Sequence, residues 1–125
     1  MRFAGYAALF DRVDQGGDVV RKGAFARSLG RKGPVALLWQ HEPGRRIGRI
    51  EYLEEDRRGL RIIARLTDGE AARLLKGGAV SGLSFGYRVR AARGREPREL
   101  TEVELIEISL VTMPMQPGAR VHAVA

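Results

Sequence analysis

The sequence contains no cysteine, only two histidines and no long apolar stretch, and each absence excludes a class of protein. Without cysteine the chain has neither a disulfide bond nor a thiolate nucleophile. Two histidines, His41 and His122, are too few for a typical zinc site when cysteine is absent. No apolar stretch approaches the roughly 20 residues of a membrane-spanning helix, and the N-terminal segment lacks the apolar core of a signal peptide. We therefore expect a cytoplasmic protein that uses no metal and no cofactor.

Motifs that bind phosphate or stack on bases are also absent. The 16 glycines form neither a P-loop nor a dinucleotide-binding fingerprint. Aromatic residues make up 6% of the chain and do not alternate with basic residues, so no base-stacking platform is indicated. The 22 Lys and Arg residues exceed the 15 Asp and Glu residues, but they are scattered through turns. We interpret them as solvated surface, and a small basic nucleic-acid-binding β-barrel is an alternative that we do not favour.

What the chain does contain is a succession of short apolar segments separated by turn residues. Its length of 125 residues predicts one domain, residues 1–125, with a single core. The apolar pattern predicts about seven strands, at residues 3–10, 35–39, 47–53, 60–66, 83–91, 99–112 and 119–124. Short helices are predicted at residues 23–30 and 71–78, the second with a capped start at residues 67–70. The class is α+β with a mostly antiparallel sheet or barrel.

His41 is the first candidate catalytic residue. It follows the apolar segment of residues 35–39, and Glu42, Pro43 and Gly44 end that strand abruptly. A lone histidine after an apolar strand is more often structural than catalytic. The abrupt end nevertheless predicts that the imidazole lies at the rim of the sheet, where a general base reaches both core and solvent.

Ser84 has the most suggestive setting of the four serines. Strand alternation places Gly82, Ser84 and Gly86 on one face, and the two glycines would clear space for a substrate backbone to approach the hydroxyl. The alternative is that they only give the strand curvature. Ser81 is the competing nucleophile, although a serine between helix and strand commonly serves in a turn. Residues 82–86 match the G-x-S-x-G pattern of α/β-hydrolases, but the predicted elements lack the strand-turn-helix unit of that fold.

Glu107 supplies a candidate for a third position. It stands inside an apolar strand segment, where an ionised carboxylate needs a partner, and a histidine is a suitable one. If Glu107 accepts a hydrogen bond from one ring nitrogen of His41, the other nitrogen can take the proton of Ser84. The alternative is a surface glutamate on an edge strand, a description that fits Glu102 and Glu104 better. Glu104 is the second choice for the third position.

Four segments of the chain carry a resemblance to a known family. They are GYAALFDRVDQGGDVVRKGAFARSL near the start, WQHEPGRRIGRI around His41, GLSFGYRV around Ser84 and ELIEISLVTMPMQPGA around Glu107. In this order they resemble the prohead (capsid maturation) proteases of tailed phages and of related gene transfer agents, over nearly the whole chain. That family is distantly similar to the herpesvirus assembly proteases, which use Ser-His-His on a β-barrel flanked by helices. The resemblance implies an assemblin-like barrel in which Glu107 stands where the second histidine stands.

The resemblance also implies a function and a set of partners. It implies a serine endopeptidase inside an immature capsid in the bacterial cytoplasm. The expected substrates are the scaffold, the scaffold-like N-terminal region of the major capsid protein, and the protease's own chain. A homo-oligomer is a further expectation, and an Arg-rich surface that recruits an acidic scaffold segment is a hypothesis. The main alternative is a catalytically inert assembly or scaffold-binding protein on the same fold.

An acyl transfer of this kind requires an oxyanion hole. Backbone N–H groups in the turn at Met115 and Gln116 are candidates, because Pro114 has no N–H to offer. The side chains of Arg88 and Arg120 are weaker candidates.

Overall fold

The computed structural model describes residues 1–31 and 33–125, which form eight strands and two short helices. The strands are β1 (Arg2–Leu9), β2 (Asp18–Val20), β3 (Ala36–Trp39), β4 (Arg46–Glu55), β5 (Gly59–Leu66), β6 (Gly82–Arg93), β7 (Arg98–Val111) and β8 (Val121–Val124). The helices are α1 (Ala26–Leu29) and α2 (Gly69–Lys76). The predicted α+β class is confirmed, and the strand additional to the seven predicted is the three-residue β2.

All eight of these strands belong to one sheet, in which β7 is shared by three neighbours. The order is β2-β7-β3-β4-β5-β1-β8, and β6 pairs with β7 outside this path. Because β6 runs along nearly the whole of β7, both β2 and β3 lie on the opposite edge of β7. These two pairs are parallel and the others are antiparallel, as a mostly antiparallel sheet requires.

The sheet curls so that β6, which pairs with β7, meets the segment just before β8. Gly82, at the start of β6, forms a bridge with Arg120, just before β8. Beside it the Leu83 N–H donates to the Ala119 carbonyl at 2.9 Å. Gly5 of β1 permits the Arg120 segment to lie close to β1, since a Cβ at Gly5 would lie only 2.3 Å from the Arg120 carbonyl oxygen. The expected barrel-like closure of the sheet is therefore present.

Apolar side chains from the long strands fill the interior. Burial alternates along β5, as expected for a strand with one face in a core. The largest fully buried side chains include Phe3, Phe25, Leu37, Ile47, Leu60, Ile62, Leu83, Leu100, Ile108 and Leu110. Burial of this much apolar surface is the main term that stabilises the fold.

The two helices differ in how well the sequence predicts them. The Asp68 side chain caps α2 by accepting the Ala71 N–H at 2.9 Å, and Gly77 ends the helix, as predicted. α1 is shorter than its predicted span, because Gly23 has φ +91° and so cannot begin a helix. The Glu55 carboxylate instead accepts the N–H groups of Gly23 and Phe25, each at 2.8 Å. Neither of these helices is long and apolar enough to cross a membrane.

Candidate active site

Strand β7 brings the predicted site residues to one place. Its Ser109 lies opposite Ser84 of β6. Its Glu107, two residues earlier on the same face, lies opposite Gly86. On its other edge Ser109 is level with Leu38 of β3, the strand that leads to His41. Three neighbouring strands therefore converge at the C-terminal end of β7.

His41 follows β3 in a backbone conformation that few residues adopt. Gln40 and His41 have φ values of 50° and 61°, in the left-handed region. A non-glycine residue there costs about 1 kcal/mol or more, so surrounding contacts must hold it. The Gln40 N–H donates to the Leu110 carbonyl at 3.0 Å, and the His41 N–H donates to Ser109 Oγ at 3.0 Å. Both contacts come from β7, so that strand sets where the imidazole points.

The imidazole of His41 is paired with the carboxylate of Glu107. His41 Nδ1 lies 2.5 Å from Glu107 Oε1, and the other carboxylate oxygen accepts the Ser109 hydroxyl at 2.7 Å. Glu107 is buried, whereas the side chain of His41 is 44% exposed. Because a carboxylate only accepts, the bond places a ring proton on Nδ1, and in the neutral imidazole the lone pair is then on Nε2. The histidine is thus oriented as a base that solvent or substrate can reach.

The glycines beside Ser84 do not clear space in the way that the sequence suggested. A Cβ at Gly86 would lie 2.5 Å from Glu107 Oε1, so Gly86 makes room for the carboxylate. A Cβ at Gly82 would lie 2.8 Å from the Pro114 ring. Both glycines accommodate groups of the protein itself, and the interpretation that they admit a substrate backbone is wrong.

Ser84 and His41 line the same cleft. Its volume is about 100 Å³, and its walls are Ala7, Asp14, His41, Leu83, Ser84, Phe85, Tyr87, Met115 and Gln116. Ser84 is 8% exposed, and among the described residues no hydrogen bond joins its hydroxyl to His41. Burial raises the pKa of Tyr87, with the Asp18 and Asp14 carboxylates adding to the effect, so this phenol stays neutral in the cleft.

The alternative site residues lie elsewhere. Ser81 accepts a hydrogen bond from the Arg120 guanidinium at 2.8 Å and does not line the cleft. Glu104 is bonded to Arg90, and this hydrogen bond is the largest cause that lowers the pKa of the Glu104 carboxyl. The structure therefore brings His41, Glu107 and Ser84 together and leaves Ser81 and Glu104 in surface pairs.

The turn at Met115 and Gln116 reaches the cleft, where the sequence placed candidate oxyanion donors. The Gln116 side chain fastens this turn to β1, since its oxygen accepts the Leu9 N–H at 2.7 Å and its amide donates to the Leu9 carbonyl at 2.9 Å. Within residues 1–31 and 33–125 neither the Met115 nor the Gln116 backbone N–H donates a hydrogen bond. The Arg120 guanidinium is bonded to Ser81 and to the Pro117 carbonyl, and Arg88 is exposed.

Sequence reasoning missed two residues of this region. Ser109 is fully buried beside Glu107, and its position two residues after Glu107 in a strand was a signal that both share a face. Asp14 lies in the turn before β2, where its Oδ1 accepts the N–H groups of Gly16 at 2.8 Å and Asp18 at 2.9 Å. It also lines the cleft, which no local pattern indicated.

Comparisons with known proteins give one family and one fold. The family described as caudovirus prohead serine protease matches residues 1–125. The prohead protease of Enterobacteria phage HK97 is 31% identical over an alignment of 134 residues. The alignment covers 97% of this chain and 59% of that protein. The chain therefore spans less than two thirds of the length of this relative.

Two solved herpesvirus proteases have a similar fold. The KSHV protease, solved in complex with a hexapeptide phosphonate inhibitor, has a TM-score of 0.67 at 13% identity, over 96% of this chain and 63% of that one. The varicella-zoster virus protease has a TM-score of 0.61 at 14% identity, over 97% of this chain and 62% of that one. At such identities the likeness establishes the fold, and the expected assemblin-like architecture is confirmed.

Proposed function

Because the chain belongs to the caudovirus prohead serine protease family, we propose that it is a serine endopeptidase of capsid maturation with Ser84 as nucleophile, His41 as base and Glu107 as orienter. The observation that carries the proposal is the hydrogen bond between His41 Nδ1 and Glu107 Oε1, at 2.5 Å, beside the cleft that Ser84 lines. A nucleophile, a base and a group that orients the base are the parts of a serine protease site.

The chemistry follows from the hydrogen bonds of the pair. As Ser84 Oγ attacks the scissile carbonyl, its proton passes to His41 Nε2, the nitrogen that Glu107 leaves with a lone pair. The proton then passes to the leaving amine, and water hydrolyses the acyl-enzyme with His41 again as base. Ser84 and His41 do not bond in the free protein, and such catalytic hydrogen bonds often tighten only when substrate is present.

We propose the backbone N–H groups of Met115 and Gln116 as the oxyanion donors. Two properties support them. Both residues line the cleft with Ser84, and neither N–H donates a hydrogen bond among the described residues. Donors fixed in advance stabilise the charge of the tetrahedral intermediate without reorganisation, and the Gln116 side chain fixes this turn by its two bonds to Leu9.

The proposed substrates are the scaffold or the scaffold-like N-terminal region of the major capsid protein, inside the immature prohead, and also the enzyme's own chain. The name of the HK97 relative, prohead protease, supports this substrate class. The small cleft, about 100 Å³, suits one side chain of an extended peptide rather than a bulky cofactor.

Co-expression with the major capsid protein tests the proposal. We expect mass spectrometry to find a shortened capsid protein N-terminus with the wild type and with Ser81→Ala, and the full-length N-terminus with Ser84→Ala. Processing by the Ser84→Ala variant would make the nucleophile assignment wrong and would turn attention to Ser81. Co-assembly without any processing by the wild type would favour the inert assembly protein instead.

A further inference from the structure

Ser109 makes two hydrogen bonds that connect the backbone of His41 with the carboxylate of Glu107. Its Oγ accepts the backbone N–H of His41 at 3.0 Å and donates to Glu107 Oε2 at 2.7 Å. The directions are determined by chemistry, because a backbone N–H only donates and a carboxylate only accepts. The hydroxyl is fully buried and does not line the cleft, so it cannot touch a substrate there.

The first bond acts on the backbone of His41. A left-handed residue in a turn is held only by its surroundings, and the N–H bond to Ser109 is one of the two contacts between this turn and β7 described above. The second contact, from the Gln40 N–H to the Leu110 carbonyl, is a backbone bond that no side-chain change removes. Ser109 is therefore the β7 side chain that bonds the His41 backbone, while Glu107 bonds the ring. The Gln40 side chain also bonds Thr112, just after β7, at 3.3 and 3.2 Å.

The second bond acts on the carboxylate of Glu107. With Oε2 accepting from Ser109, Oε1 is the oxygen that faces His41 Nδ1. Gly86 leaves the carboxylate room in this position, because a Cβ there would lie 2.5 Å from Oε1. The bonds of His41 and Ser109, one to each oxygen, together fix the rotation of the carboxylate about its final bond.

We propose that Ser109 is a positioning residue that sets the His41 backbone and the Glu107 carboxylate at the same time, so that Nδ1 and Oε1 meet in one geometry. This inference rests on the proposed function for its effect on turnover. A base displaced by about 1 Å can cost on the order of 100-fold in rate. Loss of the Ser109 hydroxyl releases both the His41 backbone N–H and the Glu107 carboxylate, so we expect the rate of attack by Ser84 to fall.

A fluorophosphonate probe measures this effect without a known substrate. Ser84 Oγ would form a bond to phosphorus while the P–F bond breaks, fluoride leaves and His41 takes the serine proton. Relative to the wild type, we expect Ser109→Ala to slow labelling of Ser84 about 10- to 100-fold. Ser109→Thr keeps a hydroxyl on the same strand face and should restore most of the rate.

Ser28→Ala is the matched control. The Ser28 hydroxyl accepts the Leu105 N–H of β7 at 2.9 Å, so this variant also removes a hydroxyl that satisfies a backbone N–H, but away from the cleft. It should lower the urea midpoint of unfolding and leave the labelling rate within about twofold of the wild type. A loss of rate in Ser28→Ala equal to that in Ser109→Ala would attribute both to general destabilisation and overturn the inference.

Proton NMR of the imidazole gives a readout that does not depend on activity. In a His122→Gln background, the only remaining imidazole is that of His41. Its Nδ1 proton should resonate at low field because it is bonded to Glu107. We expect Ser109→Ala to move this resonance upfield or broaden it, and Ser28→Ala to leave it in place. A Ser109→Ala protein with an unchanged resonance and an unchanged labelling rate would overturn the inference. A wild type that the probe does not label would contradict the proposed function, while the resonance would still decide the role of Ser109.

Discussion

Glu107 has a hydrogen-bond partner on each carboxylate oxygen, so a substitution there can separate charge from shape. His41 bonds Oε1 and Ser109 bonds Oε2. A glutamine has the same size but presents one oxygen and one NH₂ group, so it can satisfy only one of these two donors. The other contact then sets two donors against each other.

We expect Glu107→Gln to fold and to lose about 10²- to 10⁴-fold in the rate of Ser84 labelling, because the imidazole loses its orienter and its tautomer is no longer determined. Labelling kinetics together with thermal unfolding check this. Glu104→Gln is the matched control on the same strand and should keep the wild-type rate. An unchanged rate in Glu107→Gln would return the residue to a purely structural role.

The sequence predicts the three candidate residues better than it predicts the residues that hold them in position. His41, Ser84 and Glu107 stand out because each is a polar residue in an apolar or glycine-rich context. Ser109 does not stand out, since a serine in a strand has many ordinary roles and only the pairing of β7 with β3 brings the His41 N–H to its hydroxyl. The local sequence does not predict the roles of Gly82 and Gly86 either, because the atoms that crowd them come from Pro114 and Glu107.

At the level of elements, β7 organises the fold through contacts that are distant in sequence. Alternation and turn residues predict its span well, because they are local signals. They do not predict that β2 and β3 run parallel to it, or that it is shared by three strands. Such pairings depend on the packing of the whole core, and this is why Asp14, in the turn before β2, was not expected in the cleft.

The attachment of β2 to β7 predicts a dependence of stability on pH. Arg98 bonds both oxygens of the buried Asp18 carboxylate, at 2.9 and 2.7 Å, and this bonding lowers the pKa of Asp18. The pair therefore stabilises the fold above the unfolded-state pKa of about 3.9, and the contribution is lost as pH falls through the lower folded-state value. We expect Asp18→Asn to cost about 1 kcal/mol at neutral pH and progressively less below pH ~4.

Urea unfolding of the wild type and Asp18→Asn between neutral and acid pH measures this difference. Asp11→Asn serves as the control, since it removes the same charge from a side chain that is 65% exposed. A gap between the wild type and Asp18→Asn that stays constant with pH would contradict the ion-pair explanation.

On the scale of the whole molecule, the net charge of +7 favours attraction of a partner with negative charge. Half of β6 is exposed and carries Arg88, Arg90 and Arg93. Glu104 and Glu99 pair with the last two of these, so the charge that remains there is smaller than the sequence suggests. An acidic scaffold segment would be held by long-range attraction rather than by one deep site.

We expect binding to an acidic scaffold segment to weaken severalfold as salt rises from about 0.1 M to about 1 M, because the Debye length falls from about 10 Å to about 3 Å. Fluorescence anisotropy of a labelled segment measures the affinity. A segment with its acids replaced by amides is the control and should show no such dependence. Affinity for the acidic segment that does not change with salt would exclude recruitment by charge.

The contact between Gly86 and Glu107 has a consequence for how relatives of this chain can vary. The carboxylate occupies the volume that a Cβ at position 86 would need, so the residue at one of these positions limits which residues fit at the other. A relative with an imidazole or a shorter acid in place of Glu107 would meet different space at position 86, and a relative with a larger residue at position 86 would have to seat its third residue elsewhere. Across the family we therefore expect the identities at these two positions to covary, with a glycine opposite the glutamate in chains that have one at this position.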